Sequence, residues 1–190
     1  MRRIGILGDI GSGKSFAAKQ FGYPIFNADH EVHELYKKNI KVFNKLKKIL
    51  PDFINSFPVD RIEISKAILA DKNNLKKIIK IIHWEVRKKM NIFLKKNKGK
   101  KFVILDIPLL LENKINKKGD ILIFIQAHKK DILKRLKKRK NYNKKLLDQF
   151  RNIQLSLDYK RKKSDFIIKN NFTKKTVKKD INSILNKFYK

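Results

Sequence analysis

The segment Gly8–Ser15, with the sequence GDIGSGKS, constrains the fold of this chain more than any other feature. It matches the pattern G-x-x-x-x-G-K-[ST] at every fixed position. A short apolar run, residues 2–7, precedes it, and apolar residues at helical spacing follow it, namely Ala17, Ala18 and Phe21. A strand, a glycine-rich loop and a helix in this order predict a P-loop, which binds the phosphates of a nucleotide.

The residues of this loop have separate physical roles. Gly8 and Gly13 occupy fixed positions of the pattern. Gly11 and Gly13 permit backbone angles that other residues disfavour, so successive N–H groups can point at phosphate oxygens. We expect the Lys14 ammonium to reach the β- and γ-phosphates and the Ser15 hydroxyl to ligate Mg²⁺. The loop therefore predicts a nucleoside triphosphate as donor, together with Mg²⁺. It leaves the acceptor open.

Apolar runs that are typical of buried strands alternate with helical patterns along the rest of the chain. Strands separated by helices form parallel sheets with right-handed crossovers. The sequence therefore predicts an α/β fold of the P-loop NTPase type, with a five-stranded parallel sheet flanked by helices. The expected strands lie at residues 2–7, 23–29, 100–108, 120–127 and 165–170.

The stretch between the second and third expected strands, about 70 residues, is too long for one crossover and has a helical pattern. We interpret the chain as a single domain with an inserted helical subdomain that binds the acceptor. Its expected parts are a core at 1–29 and 100–190, an insertion at about 30–98, and a lid at about 135–160. Residues 74–94, 143–163 and 173–189 each predict one helix.

The charge of the chain suggests nucleic acid at first sight, since 49 Lys and Arg face 17 Asp and Glu, a formal net charge of +32. The lysines are dispersed over every segment, however, which is typical of a solvated surface. We therefore expect no nucleic-acid partner, although anionic substrates would be attracted. The chain has no cysteine, which excludes disulfides and thiolate metal sites. No apolar run approaches a membrane span, and we expect a cytoplasmic protein.

Two aspartates are candidates for work at the phosphoryl group. Asp29 follows the second expected strand, at the edge where ligands of open α/β sheets bind, so it can orient or deprotonate an attacking hydroxyl. The alternative is that Asp29 caps the helix that follows. Asp106 ends the buried run FVILD and is either a carboxylate near Mg²⁺ or a strand-end residue held by a local hydrogen bond.

Basic side chains near the expected lid form a second group of candidates. Arg135 and Arg139 are one helical turn apart, just before the polar segment KNYNKK, and two guanidiniums there can close over phosphates. Solvated surface arginines are the alternative. His83 lies beside apolar residues of the 74–94 helix, where a histidine at the edge of the core is the simpler interpretation.

With these residues assembled, the chain resembles the dephospho-CoA kinases over nearly its whole length. The resemblance is carried by GILGDIGSGKS, by NADHEVHELY after the second strand, and by VILDIPLLLEN, which contains the characteristic PLL-x-E stretch at Pro108–Glu112. LKRLKKR and SDFIIKNN are similar to the family's lid arginines and final strand. The resemblance implies transfer of the ATP γ-phosphate to the ribose 3′-hydroxyl of dephospho-CoA.

The resemblance also implies roles for individual residues. The segment from Gly11 to Phe16, which includes Ser12, would bind ATP, and Asp29 would be the catalytic carboxylate. Arg139 would be the lid arginine. Asn170 or Asn171 would lie near the adenine end, and His83 and Arg87 fall in the acceptor-side helix.

Three positions depart from the family pattern. Asn27 stands where the first Asp of the DAD segment is usual, so Asp29 alone remains to act. Trp84 replaces the proline that usually follows the histidine, and Phe16 replaces the usual threonine after the P-loop serine.

Two other functions remain open on the sequence. The first is a nucleoside or nucleotide kinase with another acceptor, and the second, suggested only by the charge, is a nucleic-acid-binding ATPase. We expect a monomer or a weak homo-oligomer.

Overall fold

The computed structural model describes residues 1–188 and divides the chain into two compact units. The first unit comprises Met1–Asn27, Lys96–Tyr142 and the chain from Gln154 onward. The second comprises Ala28–Lys95 together with Asn143–Ile153. The helical unit thus takes in a second segment, which the expected insertion at about 30–98 does not include.

The first unit is built on one sheet of five parallel strands in the order β2-β3-β1-β4-β5, as predicted. Because all strands are parallel, their carboxyl ends lie along one edge of the sheet. The central strands are almost completely buried, which explains their continuous apolar sequences. The strands are β1 Arg2–Gly8, β2 Ile25–Asn27, β3 Phe102–Asp106, β4 Ile121–Gln126 and β5 Phe166–Lys169.

Nine helices flank the sheet or form the second unit within the described residues. Helix boundaries agree with the sequence patterns to within a few residues, except in the region 135–163. The helices are α1 Lys14–Gln20, α2 Ala28–Lys38, α3 Ile40–Ile49, α4 Arg61–Ala70, α5 Lys72–Lys96, α6 Lys129–Lys137, α7 Lys144–Asn152, α8 Leu157–Lys162 and α9 Lys174–Asn186.

The core of the first unit packs α1 and α9 against one face of the sheet. Ile4 and Ile6 of β1 contribute to this core with Ala17 and Ala18 of α1, all of them fully buried. The apolar face of α9, including Ile181, completes it. The last residue of the expected 173–189 helix, Tyr189, lies outside the described residues. The effect of this packing is to hold the P-loop rigidly between β1 and α1.

The expected single helix over 143–163 is wrong, because the structure has two helices, α7 and α8, in different units. Ser156 begins α8, and its hydroxyl accepts a hydrogen bond from the Tyr159 N–H at 3.2 Å. Serine competes with a continuous helix by capping a new one, and this signal was present in the sequence.

No helix within residues 1–188 is both long and apolar enough to cross a membrane.

Candidate active site

The P-loop leaves β1 at Gly8 and enters α1 at Lys14, with Gly13 at the helix N-cap in the left-handed region (φ 89°, ψ 27°). A turn inside the loop is closed by the Ser12 N–H, which donates to the Asp9 carbonyl at 3.1 Å. A Cβ atom at Gly8 would lie 2.7 Å from the Ile125 carbonyl oxygen of the neighbouring strand. Both glycines are therefore required by the packing around the loop as well as by its dihedral angles.

The side chain of Lys14 turns back and contacts the backbone of the loop. Its ammonium donates hydrogen bonds to the Asp9 carbonyl at 2.9 Å and the Gly8 carbonyl at 3.2 Å. The Ser15 side chain, one residue further into the first turn of α1, is exposed. A lysine charge and a hydroxyl therefore accompany the N–H groups of a helix start, which is the combination that binds a polyphosphate.

Asn170, directly after β5, is hydrogen-bonded to the P-loop. It is 3% exposed, and its side-chain amide donates to the Ser12 carbonyl at 2.8 Å. Its side-chain oxygen accepts from the Phe172 N–H at 2.8 Å. A Cβ atom at Gly13 would collide with the same amide nitrogen. Asn170 therefore determines the position of the loop from a strand that is distant in sequence.

Asn171 differs from its neighbour, although the sequence placed the two together. Asn171 is exposed, and its side-chain oxygen accepts from the Thr173 N–H at 3.1 Å and from the Thr173 hydroxyl at 2.8 Å. These bonds form a local turn that leads into α9. Asn170 is thus the member of the pair whose amide bonds to the P-loop, whereas Asn171 shapes the chain that follows.

Arg135 on α6 stacks on an aromatic ring beside the loop. Its guanidinium carbon lies 4.2 Å from the centroid of the Phe172 ring, a cation–π distance. Two apolar residues of the same helix, Ile132 and Leu136, would touch a Cβ atom at Gly11, so α6 packs against the P-loop. Phe172 was not singled out from the sequence, because nothing local marks a phenylalanine after the last strand as part of a site.

Arg139 lies in the turn after α6 rather than on the helix, which ends at Lys137. Its N–H donates to the Leu136 carbonyl at 3.0 Å, and its side chain is exposed. The expectation that one helical turn separates Arg135 and Arg139 is therefore wrong, because only Arg135 lies on α6. Leu136 is the last apolar residue before KKRKN, so the helix has no further residue to bury beyond it.

Two side chains meet where β2 and β3 end. Asn27 and Asp106 are register partners in this strand pair, and the Asn27 amide donates to Asp106 Oδ2 at 2.6 Å. Asp106 is 3% exposed. The carboxylate is therefore held by a hydrogen bond from the neighbouring strand, and it lies at the edge of the sheet from which the P-loop also emerges.

The donor set at this edge fits Mg²⁺. Ser15 and Asp106 offer hard oxygen ligands, and no group of three or more His, Cys, Asp or Glu in residues 1–188 is placed to enclose a metal ion. Mg²⁺ keeps several waters and is usually bound through one or two protein oxygens together with substrate phosphates, so it does not need a protein cage.

Glu112, in the PLL-x-E stretch, belongs to a buried polar network. One of its carboxylate oxygens is 2.7 Å from the Lys160 ammonium and accepts from the Leu155 N–H at 3.0 Å. Lys160 is 1% exposed and also donates to the Gln154 side chain at 2.8 Å. The network joins the segment after β3 to the start of α8. The sequence did not identify Lys160, because one buried lysine cannot be told from its many exposed neighbours.

The helical unit carries the acceptor-side candidates. Asp29 is exposed in the first turn of α2, which begins at Ala28, so Asp29 lies inside the helix rather than at its cap. A carboxylate in the first turn interacts favourably with the helix dipole. On α5, His83 is partly buried and Arg87 is exposed one turn further along. Burial, and secondarily the charge of Arg87, lower the pKa of His83 below its ordinary value.

Comparisons with known proteins bear on the identity of this site. The sequence profile of the dephospho-CoA kinase family matches residues 2–176. The dephospho-CoA kinase of Wolbachia pipientis wMel is 35% identical over 187 residues, covering 96% of this chain and 95% of that protein.

Solved structures show the same fold. A crystal structure of a Thermus thermophilus protein superposes with a TM-score of 0.78 at 25% identity, covering 98% of this chain and 97% of that one. The dephospho-CoA kinase from Campylobacter jejuni shares the fold, with a TM-score of 0.61 at 22% identity and coverage of 98% and 96%.

The five-stranded parallel sheet and the loop at the end of β1 define a P-loop kinase fold. The fold predicted from the sequence is thus confirmed. More narrowly, the chain belongs to the dephospho-CoA kinase family, as the sequence motifs predicted.

Proposed function

We propose that this protein transfers the γ-phosphoryl group of ATP to the ribose 3′-hydroxyl of dephospho-CoA, giving coenzyme A and ADP. This is the last step of coenzyme A synthesis. The observation that carries the proposal is a complete P-loop between β1 and α1, in a chain that matches the dephospho-CoA kinase profile over residues 2–176.

Three residues carry the chemistry of transfer. Asp29 accepts the proton of the 3′-hydroxyl as the oxygen forms its bond to the γ-phosphorus, and the bond from that phosphorus to the β–γ bridging oxygen breaks. The electron pair leaves with ADP. Lys14 and Arg139 stabilise the negative charge on the phosphoryl oxygens, which is the main way that proteins accelerate phosphoryl transfer.

Mg²⁺ bound with ATP supplies charge neutralisation at the phosphates. Ser15 and Asp106 are the residues that would hold it, Ser15 by its hydroxyl and Asp106 by its carboxylate.

Binding of the two substrates involves the remaining candidates. The loop from Gly8 through Phe16 binds the phosphates through N–H groups, and Arg135 binds ATP as a lid arginine that closes over the phosphates. Asn170 or Asn171 lies near the adenine end of ATP. His83 and Arg87 contact dephospho-CoA, whose phosphates suit a guanidinium. The neutral form of His83, favoured by its lowered pKa, is able to accept a hydrogen bond from this substrate.

The composition of the chain supports a proposal about its location and partners. We propose a cytoplasmic monomer or weak homo-oligomer without a nucleic-acid partner, whose dispersed lysines form a solvated surface that attracts anionic substrates.

Replacement of Asp29 with Asn tests the catalytic assignment. We expect turnover to fall by about 10² to 10⁴-fold, the usual contribution of a general base, while ATP affinity stays within about two-fold. ADP release in a coupled assay and calorimetric ATP binding measure the two effects. Glu31→Gln is the matched control, since Glu31 lies in the same helical turn. Normal turnover in Asp29→Asn would exclude the role of Asp29.

The acceptor is tested separately with the wild-type protein. The same assay with dephospho-CoA and with nucleoside monophosphates decides between the proposed reaction and a nucleotide kinase. ATP hydrolysis stimulated by RNA or DNA, with affinity that falls steeply with salt, would instead indicate a nucleic-acid-binding ATPase.

A further inference from the structure

The contact between Asn27 and Asp106 has a geometry that two neighbouring strands impose. The two residues are direct partners in the register of β2 and β3, each at the carboxyl end of its strand. Their side chains meet at 2.6 Å, from Asn27 Nδ2 to Asp106 Oδ2. A one-residue change of register would turn every side chain of the strand to the other face, so the fold itself places these two residues opposite each other.

The carboxylate of Asp106 is almost completely buried, and burial of a charged group requires compensation. Part of that compensation comes from the hydrogen bond that the Asn27 amide donates. An amide donates a hydrogen bond but carries no net charge. The hydrogen bond therefore places no positive charge beside Asp106, and it occupies only one of the two carboxylate oxygens.

A side chain of the same shape but without a donor could not make this hydrogen bond to Asp106. A carboxylate at position 27 would only accept hydrogen bonds, and it would oppose Asp106 across the same short distance. The side-chain N–H of Asn27 instead attracts the carboxylate of Asp106. A carboxylate otherwise rotates broadly about its terminal torsion, so one fixed oxygen also fixes the direction of the other.

We propose that Asn27 is a positioning residue that holds Asp106 in one orientation, with Oδ1 presented to the Mg²⁺ that accompanies ATP. The inference rests on the proposed function, because it requires a metal–nucleotide complex at the P-loop. Asn27 acts through Asp106 and contacts neither substrate nor metal. Residues that orient metal ligands commonly affect metal affinity by about 10- to 100-fold.

The test compares Asn27→Leu, which keeps a branched side chain and removes the donor, with wild type. Mn²⁺ replaces Mg²⁺ as the probe, and AMP-PNP, which is not hydrolysed, replaces ATP. Electron paramagnetic resonance of free Mn²⁺ then gives the metal affinity of the nucleotide complex. We expect the dissociation constant for Mn²⁺ to rise about 10-fold. Affinity for AMP-PNP in the presence of EDTA should stay within about two-fold.

Two further variants make the result specific. Asn27→Thr retains a hydroxyl donor at the strand end and should recover part of the Mn²⁺ affinity. Asn74→Leu is the matched control, because Asn74 is also buried and its amide donates to the Ala67 carbonyl at 2.9 Å on α4. This control should lose stability without losing Mn²⁺ affinity, which is the behaviour that a merely structural role of Asn27 would produce.

The outcomes separate the inference from the proposed function. Unchanged Mn²⁺ affinity in Asn27→Leu, or equal losses of Mn²⁺ affinity in Asn27→Leu and Asn74→Leu, would overturn the positioning role. If Asn27→Leu does not fold by circular dichroism, Asn27→Ala, which also removes the donor, takes its place: a loss of Mn²⁺ affinity smaller than about three-fold in Asn27→Ala would overturn the positioning role, against the 10- to 100-fold range of such residues. Failure of wild type to phosphorylate dephospho-CoA would count against the proposed function alone, since the Mn²⁺ measurement needs no acceptor.

Discussion

The P-loop and the helix α5 place their candidate residues by different means. Around the P-loop, Ser12 and Asn170 are 158 residues apart in sequence, yet a buried hydrogen bond joins the Asn170 amide to the Ser12 carbonyl. On α5, His83 and Arg87 are four residues apart, and helical periodicity alone puts them on neighbouring positions of one surface.

This difference predicts how strongly substitutions should affect each region. The loop has a backbone conformation that its glycines permit and that surrounding contacts hold in place, so a small change in those contacts displaces several phosphate-binding groups at once. The residues of α5 are presented by a helix of 25 residues, so a change in one side chain leaves its neighbours in place. We therefore expect large effects at the loop and small, local effects on the helix.

The largest effect is expected for Gly13→Ala. The new Cβ would meet the Asn170 amide at a backbone φ of 89°, and both the collision and the strain oppose the native loop. We expect ATP affinity to fall by about 100-fold, equivalent to about 3 kcal/mol. Calorimetric titration with ATP measures it.

Gly22→Ala is the control for this substitution. Gly22 also has a positive φ of 73°, but nothing lies within 4 Å of the position that a Cβ atom would take there. It should therefore lose about 1–2 kcal/mol of folding stability, with unchanged ATP affinity. Equal ATP affinities for the two alanine variants would show that packing against Asn170 is irrelevant to the loop.

An intermediate effect is expected for Asn170→Ala. The change leaves the Ser12 carbonyl and the Phe172 N–H without their partner in a buried position, at a cost of about 1–3 kcal/mol. ATP affinity should fall about 10-fold. Asn171→Ala removes only exposed local bonds, and its ATP affinity should change less than about two-fold. The reverse order would mean that Asn171, rather than Asn170, contacts the nucleotide.

The smallest effect is a pH dependence of folding stability that arises from His83 on α5. The pKa of His83 is lowered from its ordinary 6.5, first by burial and then by Arg87, so the unfolded chain binds the proton more readily. The contribution of neutral, buried His83 to the free energy of unfolding is therefore complete above about pH 6.5. It is lost as the pH falls towards the lower pKa of His83 in the folded state.

Urea unfolding between about pH 8 and about pH 5 measures that loss, and His83→Gln should flatten the corresponding part of the curve. Arg87→Gln should raise the pKa of His83 only partly towards its ordinary value, because burial is the larger cause. An NMR titration in which Arg87→Gln lowers that pKa further would contradict the assigned cause.

Most of the sheet was predictable, because buried parallel strands such as FVILD and ILIFIQ have continuous apolar sequences. The end of α6 and the division between α7 and α8 were not predicted. Both depend on weak local signals, the missing apolar residue after Leu136 and the cap at Ser156. Long basic side chains favour helix almost equally well on either side of such a boundary.

The candidate site was predictable only in its local parts. The glycines, Lys14 and Ser15 form a contiguous motif, so the sequence by itself determined that a phosphate-binding loop exists, and its motifs determined the family. The tertiary structure alone decided that Asn170 fastens this loop, that Phe172 supports Arg135, and that Asn27 holds Asp106. The physical reason is that a motif records what neighbouring residues do along the chain, whereas these contacts join strands and helices whose proximity arises only from sheet order and packing.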